Sequence, residues 1–166
     1  MLQHKDAKIS VLFVCLGNIC RSPMAEGAFR KAAHNAGLAI HADSVGTASY
    51  HIGEAPDPRA VAEARRHGID ISDLTGRQLE LEDFDRFTHI VALDTANLAG
   101  IKARAPRNAR ARVLLLMDAV EGREGEPVAD PYYGDEAGFA ATWQQIEMAV
   151  DALVQKFATE GANAKF

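Results

Sequence analysis

Cysteine is scarce in this chain: the 166 residues include only two, Cys15 and Cys20. Two thiols cannot build the disulfide framework that holds a small secreted domain together. No histidine or cysteine pair has the spacing of zinc ligands, so we expect no metal site. Both thiols instead fall within one short stretch, which makes that stretch chemically unusual.

Long apolar runs are also lacking. No segment approaches the roughly 18 consecutive apolar residues that a membrane span requires, and the amino-terminal MLQHKDAKIS has no apolar core of a signal peptide. We therefore expect a soluble cytoplasmic protein without a membrane partner, with non-classical secretion left open. The net charge of −5 and the absence of a lysine and arginine run argue against nucleic-acid binding.

Short β-branched runs alternate with longer segments of helical periodicity, which predicts parallel βαβ units in one domain. The predicted strands are Ile9–Cys15, 39–46, 89–94 and 112–118. The predicted helices are 23–36, 58–67, 79–87, Thr95–Arg104 and 136–159. In the last helix one apolar face is expected to pack on the core, formed by Phe139, Trp143, Ile146, Val150, Leu153 and Phe157.

Polar side chains are predicted at the carboxyl ends of these strands. Cys15, Ser44, Asp94 and Asp118 all fall at or near such ends. Ligands of parallel sheets bind outside the carboxyl ends of the strands. We therefore expect the chemistry of the protein to lie along this edge of the sheet.

The stretch CLGNICRS, from Cys15 to Ser22, joins the first strand to the first helix. Backbone N–H groups of such a loop, together with the helix terminus, can form a cradle for a phosphate dianion. Gly17 allows a close approach and a positive φ, and Asn18 tolerates a left-handed conformation. Arg21 is placed to grip two phosphate oxygens with a bidentate fork that lysine lacks.

The groups that bind a phosphate would also stabilise a thiolate at Cys15, which makes this residue a candidate nucleophile. Ser22 is placed to donate a hydrogen bond to the sulfur when it becomes a leaving group. The simpler interpretation is a buried cysteine followed by a surface arginine and a helix cap. The complete pattern, set between a buried strand and a helix, favours the catalytic interpretation.

A candidate general acid lies in the segment DPYYGD. Asp130 precedes a proline that stiffens the turn, and Tyr132 and Tyr133 add flat apolar faces with polar tips. Asp130 could protonate a phenolate leaving group and then accept a proton from the attacking water. An ordinary Asp-Pro turn is the alternative. Tyr50, in another loop near this edge, is a candidate wall of the cleft, and an exposed loop tyrosine explains it equally well.

These motifs resemble the low-molecular-weight protein tyrosine phosphatases. The resemblance rests on CLGNICRS (15–22), PDPRA (56–60) and DPYY (130–133) and extends over residues 8–159. It implies an α/β fold in a single domain over 1–166, with a four-stranded parallel twisted sheet and helices on both faces. It also implies hydrolysis of phosphotyrosine through a cysteinyl-phosphate, without a cofactor.

The resemblance assigns roles to individual residues. The implied catalytic residues are Cys15 as nucleophile, Arg21 as phosphate ligand and Asp130 as general acid and base. The implied substrate-binding residues are Leu16, Gly17, Asn18, Ile19, Cys20, Ser22, Tyr50, Tyr132 and Tyr133. Asn18, Ser22 and Ser44 match positions that hold the shape of the loop. Cys20 matches a cysteine that can form a reversible disulfide with the nucleophile and protect it from oxidation.

Two departures from the family pattern are visible. Some members carry a histidine that supports the loop just before an Arg-Gln pair, whereas SDLTGRQ (72–78) has none. Related bacterial phosphatases that act on phosphoarginine carry threonine where this chain has Ile19, and the larger side chain favours a phenolic ester. The implied partners are phosphotyrosine-containing proteins, with a bacterial tyrosine kinase as one candidate, and the chain is expected to be monomeric or weakly self-associating.

Two other functions fit parts of the pattern. An arsenate reductase has a similar loop, but it relays a disulfide to later cysteines, and no cysteine follows Cys20 here. A phosphate-binding or redox-sensing module would use Cys15 and Cys20 without turnover, although it would have no need of Asp130. The presence of Asp130 therefore favours hydrolysis of phosphotyrosine over binding alone.

Overall fold

The computed structural model describes residues 9–160. The amino-terminal segment and Lys8, the first residue of the predicted core, lie outside these residues. The strands are β1 Ile9–Cys15, β2 Ile40–Gly46, β3 His89–Ala92 and β4 Arg112–Leu115. The α-helices are α1 Arg21–Asn35, α2 Pro58–Arg66, α3 Asp83–Arg86, α4 Thr95–Arg104 and α5 Glu136–Glu160.

The four strands form one parallel sheet in the order β2-β1-β3-β4. In its register Cys15 lies opposite Gly46, and Val14 lies opposite Ala92. The carboxyl ends of the two central strands and of β2 therefore meet at one edge of the sheet. The predicted parallel four-stranded sheet is confirmed.

Successive residues of β1 point to opposite faces of the sheet, and each face has its own buried core. Val11 and Phe13 pack in the core that α1, α2 and α5 cover. Leu12 and Val14 pack in a second core with residues of α3 and α4. Strand β1 is buried on both faces, which explains its continuous apolar run. Helices therefore cover both faces, and all six residues predicted for the apolar face of α5 are buried.

Several predicted boundaries differ from the structure. Helix α1 begins at Arg21 rather than at Pro23, so that Arg21 belongs to its first turn. Strand β3 ends at Ala92, before Asp94, which caps α4 instead. Strand β4 ends at Leu115 because residues Leu116–Ala119 wind into a 3₁₀ turn.

The prediction that Asp118 lies at the carboxyl edge with the other polar residues is wrong. The 3₁₀ turn carries Asp118 out to an exposed position, where its Oδ1 accepts a hydrogen bond from the N–H of Gly125 at 2.8 Å. Asp118 therefore stabilises a surface turn and does not line the pocket described below. Within residues 9–160, no helix is both long and apolar enough to span a membrane.

Candidate active site

A pocket of about 200 Å³ opens at the carboxyl edge of the sheet, directly after β1. Its lining contains ten residues predicted as catalytic or substrate-binding, Asp130 among them, together with the unpredicted His51. The lining residues are Cys15, Leu16, Gly17, Ile19, Cys20, Arg21, Tyr50, His51, Asp130, Tyr132 and Tyr133. Asn18 and Ser22 lie behind the loop rather than on the pocket surface.

The sulfur of Cys15 has two polar neighbours. The backbone N–H of Asn18 donates a hydrogen bond to Cys15 Sγ at 3.3 Å, and the hydroxyl oxygen of Ser22 lies 3.0 Å from the same sulfur. The Ser22 hydroxyl has one proton and two acceptors in reach, the other being the Val45 carbonyl at 3.3 Å. A charged thiolate is the stronger acceptor, so an ionised Cys15 draws this proton to itself.

Asn18 holds the shape of the loop through its backbone conformation and the hydrogen bonds of its buried side chain. It is the only described non-glycine residue with a positive φ, at 60°, as its short polar side chain tolerates. Its Nδ2 atom donates to Ser22 Oγ at 2.8 Å and to Ser44 Oγ at 3.1 Å, and its Oδ1 accepts from the backbone N–H of Arg77 at 3.0 Å. The backbone of the Arg-Gln segment thus supports the loop in the absence of the histidine.

Gly17 serves the loop through one of the two properties predicted for it, the close approach of a neighbouring segment. Its φ is not positive, so left-handed freedom is not the reason for glycine at this position. A Cβ atom at residue 17 would lie 3.0 Å from Cδ2 of His51. A second close approach lies next to it, since a Cβ at Gly46 would meet the carbonyl oxygen of Leu16 at 2.7 Å. Both glycines let neighbouring segments pack against the loop.

A buried carboxylate ends the hydrogen-bond chain that starts at Cys15. The hydroxyl of Ser44 donates to Glu26 Oε1 at 2.8 Å, and the Glu26 residue is only 1% exposed. Burial raises the pKa of Glu26 to about 6, although Arg30 and the Ser44 hydroxyl act in the opposite direction. Arg30 Nη2 lies 2.6 Å from Glu26 Oε2 but off the line of a hydrogen bond. Sequence reasoning missed Glu26, because one acid in a helix carries no pattern.

Arg21 is held rigidly on one side. Its Nη1 donates to Asp94 Oδ2 at 2.8 Å and to the carbonyl of Val128 at 2.9 Å. Its Nη2 lies 3.7 Å from Asp130 Oδ2. The guanidinium is therefore fixed at the pocket with Nη2 directed toward the candidate acid. Asp94 also caps α4 by accepting from the N–H of Asn97 at 2.7 Å.

The sequence placed Asp94 at the active edge but did not assign it to Arg21. The only local signal was an aspartate between a strand and a helix, which identifies a helix cap. Nothing in the residues near Asp94 indicates that a guanidinium 73 positions earlier shares its carboxylate. The ion pair is consequently a product of the tertiary fold.

Asp130 lies in a loop whose position depends on Arg59. Arg59 Nη2 donates to the carbonyl of Tyr132 at 2.9 Å, and Nη1 donates to the carbonyl of Gly134 at 3.1 Å. The same guanidinium lies over the ring of Phe139 at 4.6 Å. Asp130 itself accepts from the N–H of Tyr132 at 3.1 Å, and its side chain is 45% exposed. A proton on this carboxyl can therefore exchange with solvent.

The segment PDPRA connects this acid loop to the phosphate-binding loop. Asp57 caps α2 and accepts from Nε and Nη2 of Arg59 at 3.0 and 2.9 Å. The backbone N–H of Asp57 donates to the carbonyl of Ile19 at 2.8 Å. One rigid unit of two residues thus holds both loops, which explains physically why this motif accompanies the other two.

The rim of the pocket is aromatic and open. Tyr133 is 95% exposed, Tyr50 is 70% exposed and Leu16 is 45% exposed. These faces could stack on a planar ligand ring that enters the pocket. His51, which the sequence did not indicate, lies between Tyr50 and the loop, and its Nδ1 lies 2.9 Å from Glu54 Oε1.

The second cysteine differs chemically from the first. Cys20 is buried, and its pKa is raised above the usual range by desolvation first and then by the carboxylate of Asp57. Cys20 is therefore a neutral thiol at neutral pH. Both cysteines are free thiols in the structure, and the disulfide between them stays a prediction.

Comparison with known proteins identifies the group to which this architecture belongs. Residues 10–163 match the family model described as low molecular weight phosphotyrosine protein phosphatase. A protein of that name from Schizosaccharomyces pombe is 42% identical over 141 residues, which cover 83% of this chain and 90% of the relative.

Solved structures agree with this match. The crystal structure of YfkJ from Bacillus subtilis superposes with a TM-score of 0.84 at 39% identity, covering 92% of this chain and 96% of that one. A protein tyrosine phosphatase from Entamoeba histolytica gives a TM-score of 0.86 at 35% identity, covering 93% and 99%. The chain therefore belongs to the low molecular weight phosphotyrosine protein phosphatase family.

Proposed function

We propose that this protein hydrolyses phosphotyrosine in proteins through a phosphocysteine intermediate on Cys15. The observation that carries the proposal is the position of the Cys15 sulfur in a pocket that also presents Arg21 and Asp130. A nucleophile, a fixed cation and an exchangeable acid are the three groups that displacement at a phosphate monoester needs. The names of the relatives support the same activity.

In the first step, the thiolate of Cys15 attacks phosphorus while the bond from phosphorus to the phenolic oxygen breaks. The N–H groups of the loop and the guanidinium of Arg21 stabilise the charge on the three equatorial oxygens. Asp130 donates its proton to the departing phenolate, so that the tyrosine side chain of the substrate protein leaves as a neutral phenol. The product is a phosphorylated Cys15 and an ionised Asp130.

In the second step, water replaces the phenol. Asp130 accepts a proton from the water as its oxygen attacks phosphorus, and the bond from sulfur to phosphorus breaks. The Ser22 hydroxyl, 3.0 Å from the sulfur, stabilises the departing thiolate. Inorganic phosphate is released, and Asp130 is protonated again for the next turnover.

The test is a pair of variants assayed with p-nitrophenyl phosphate in the presence of a chelator. Wild-type protein should release p-nitrophenol, and Cys15→Ser should lose at least about a thousandfold in kcat. Asp130→Ala should retain more activity with p-nitrophenyl phosphate than with phenyl phosphate, whose poorer leaving group needs the proton. Full activity of Cys15→Ser would contradict the mechanism.

The substrate side of the pocket favours an aryl phosphate. Ile19 lines the pocket and is only 8% exposed, so its side chain narrows the space beside the loop. The tyrosine faces at the rim match a planar phenolic ring. Phosphotyrosine proteins, with a bacterial tyrosine kinase as one candidate, remain the proposed partners. Mixing lysate with immobilised Asp130→Ala protein, which retains the nucleophile, would identify them.

A further inference from the structure

A strongly basic edge, which we define as residues 102–112, lies outside the pocket. This segment contains five exposed cations, and no aspartate or glutamate occurs between Asp94 and Asp118. The five are Lys102, Arg104, Arg107, Arg110 and Arg112. Neutral residues separate them, so the sequence has no continuous lysine and arginine run to reveal a basic surface.

The described part of the chain supplies no acidic partner to these cations. Within residues 9–160 none of the five has a carboxylate oxygen within 4.0 Å. The adjacent helix α3 contacts the edge where Ala111 donates to the carbonyl of Phe84, but the buried carboxylate of that helix, Asp83, is held by Arg77. Among the described residues, the basic edge therefore presents exposed cations without carboxylate partners, although Arg104 Nη1 donates to the carbonyl of Gly100 at 3.4 Å.

The fold places the basic edge at the opposite end of the sheet from the pocket. Arg112 lies in register with His89, which in turn lies in register with Val11, four residues before Cys15. Four strand residues span about 13 Å. Helix α4 runs a similar distance, about 14 Å, from its cap beside Arg21 to Arg104. A ligand at the basic edge would leave the pocket open.

Charge on the rest of the molecule restricts what can bind there. Outside the basic edge the chain has 13 lysines and arginines and 23 aspartates and glutamates, which gives that part a net charge of −10. An extended polyanion such as a membrane or a DNA duplex would bring repulsion from that acidic remainder. A short acidic peptide would contact the edge alone, because charges beyond about 8 Å are screened at physiological salt.

The composition of the edge also argues against membrane insertion. Apart from its cations, the segment 102–112 contains only alanine, proline and asparagine. None of the large exposed apolar side chains of the described residues lies within it. Four of its five cations are arginine, whose planar fork binds carboxylates in bidentate pairs. The chemistry therefore fits a cluster of aspartate and glutamate side chains.

We propose that the basic edge docks an acidic segment of the phosphotyrosine proteins that the pocket dephosphorylates. The proposal rests on the proposed function for the identity of the partner. The acidic segment binds about 15 Å from the phosphotyrosine site, and a linker between the two raises the local concentration of the phosphate ester at the pocket. A flexible linker of twelve residues, with an r.m.s. reach of about 20 Å, spans this distance.

The experiment compares two phosphotyrosine peptides. Each carries a twelve-residue Gly-Ser linker followed by eight glutamates or, in the matched peptide, eight glutamines. At physiological ionic strength the wild-type protein should hydrolyse the glutamate peptide with a kcat/KM about tenfold higher than that of the glutamine peptide, because its KM is lower. The ratio should approach one at about 1 M salt, where the screening length falls to about 3 Å.

Two triple variants locate the effect. Arg107→Gln/Arg110→Gln/Arg112→Gln should bring the ratio to one or below and leave hydrolysis of p-nitrophenyl phosphate unchanged, which shows that the protein is folded. The control, Arg65→Gln/Arg123→Gln/Lys156→Gln, makes the same change in net charge elsewhere and should keep the ratio of the wild type. Equal ratios in the two variants would overturn the proposal.

Direct binding separates this proposal from the proposed function. If neither peptide is hydrolysed, the phosphatase assignment fails, and docking is still measured by the fluorescence anisotropy of labelled octaglutamate. Binding that the Arg107, Arg110 and Arg112 substitutions weaken about tenfold supports the basic edge. Tighter binding of vesicles with 30% phosphatidylserine, or of a 20-base-pair duplex, through the same arginines would overturn the choice of an acidic peptide.

Discussion

Asp94 is the residue on which the geometry of Arg21 depends, and two substitutions separate its two contacts. Asp94→Asn keeps an oxygen that can cap α4, because asparagine caps helices as well as aspartate. It removes the negative charge 2.8 Å from Nη1 of Arg21. Asp94→Ala removes both the charge and the cap.

The structure sets the size of the effect. Breaking a fully buried ion pair costs about 3–5 kcal/mol, but the Asp94 side chain is 21% exposed and the Val128 carbonyl still accepts from Arg21. We therefore expect Asp94→Asn to lower the free energy of unfolding by about 2 kcal/mol. Asp94→Ala should lower it by about 1 kcal/mol more, because it also removes the helix cap. In a chain of this size these losses lower Tm by roughly 4–8 °C and 6–12 °C.

The assay combines urea unfolding with inhibition by inorganic phosphate. With Asp94 replaced, Nη1 of Arg21 is held by the Val128 carbonyl alone, and Asp130, 3.7 Å from Nη2, becomes the nearest carboxylate of the guanidinium. The inhibition constant for phosphate should rise about tenfold in both variants, which corresponds to a loss of about 1.4 kcal/mol in the free energy of phosphate binding. The reasoning is refuted if Asp94→Asn unfolds like the wild type and binds phosphate equally well.

Three further predictions concern Glu26, Arg59 and Ile19. Because burial raises the pKa of Glu26 from 4.5 to about 6, the folded state binds the extra proton in this window, and stability present below pH 4.5 is lost as pH rises through 6. Across this pH range the free energy of unfolding of the wild type should fall by about 2 kcal/mol, and urea unfolding of Glu26→Gln should show no such fall. Arg59→Lys should reduce kcat about tenfold for phenyl phosphate and less than twofold for p-nitrophenyl phosphate, because lysine cannot hold the acid loop with the same fork. Ile19→Thr should raise the ratio of phosphoarginine to p-nitrophenyl phosphate hydrolysis about tenfold by opening the pocket beside the loop.

Each of these has a contradicting result. Parallel pH curves for the wild type and Glu26→Gln would show that the buried carboxyl does not titrate in this window. An equal loss on both aryl phosphates in Arg59→Lys would place the defect outside proton transfer. An unchanged ratio of phosphoarginine to p-nitrophenyl phosphate hydrolysis in Ile19→Thr would show that this side chain does not determine which leaving group the enzyme prefers.

The parts of the fold that sequence reasoning located were those with a local signal. The buried run of β1 and the loop after it were both predicted, as was the apolar face of α5, because their sequence signals lie within a few residues of one another. Boundaries were less accurate where a polar side chain changes the local structure. Asp94 ends β3 by capping α4, and the 3₁₀ turn at Leu116 ends β4 early.

Part of the chemistry could be read from the sequence alone: a thiol at the end of a buried strand, followed by a loop that carries an arginine and leads into a helix. These groups are adjacent in the chain, so their types and order are sufficient to indicate a phosphate site. Distant residues that hold these groups, such as Asp94, Arg59 and the backbone of Arg77, which lies 59 positions from Asn18, come close to them only when the chain is folded. Contacts across such separations depend on how the strands are ordered and packed, which no local periodicity records.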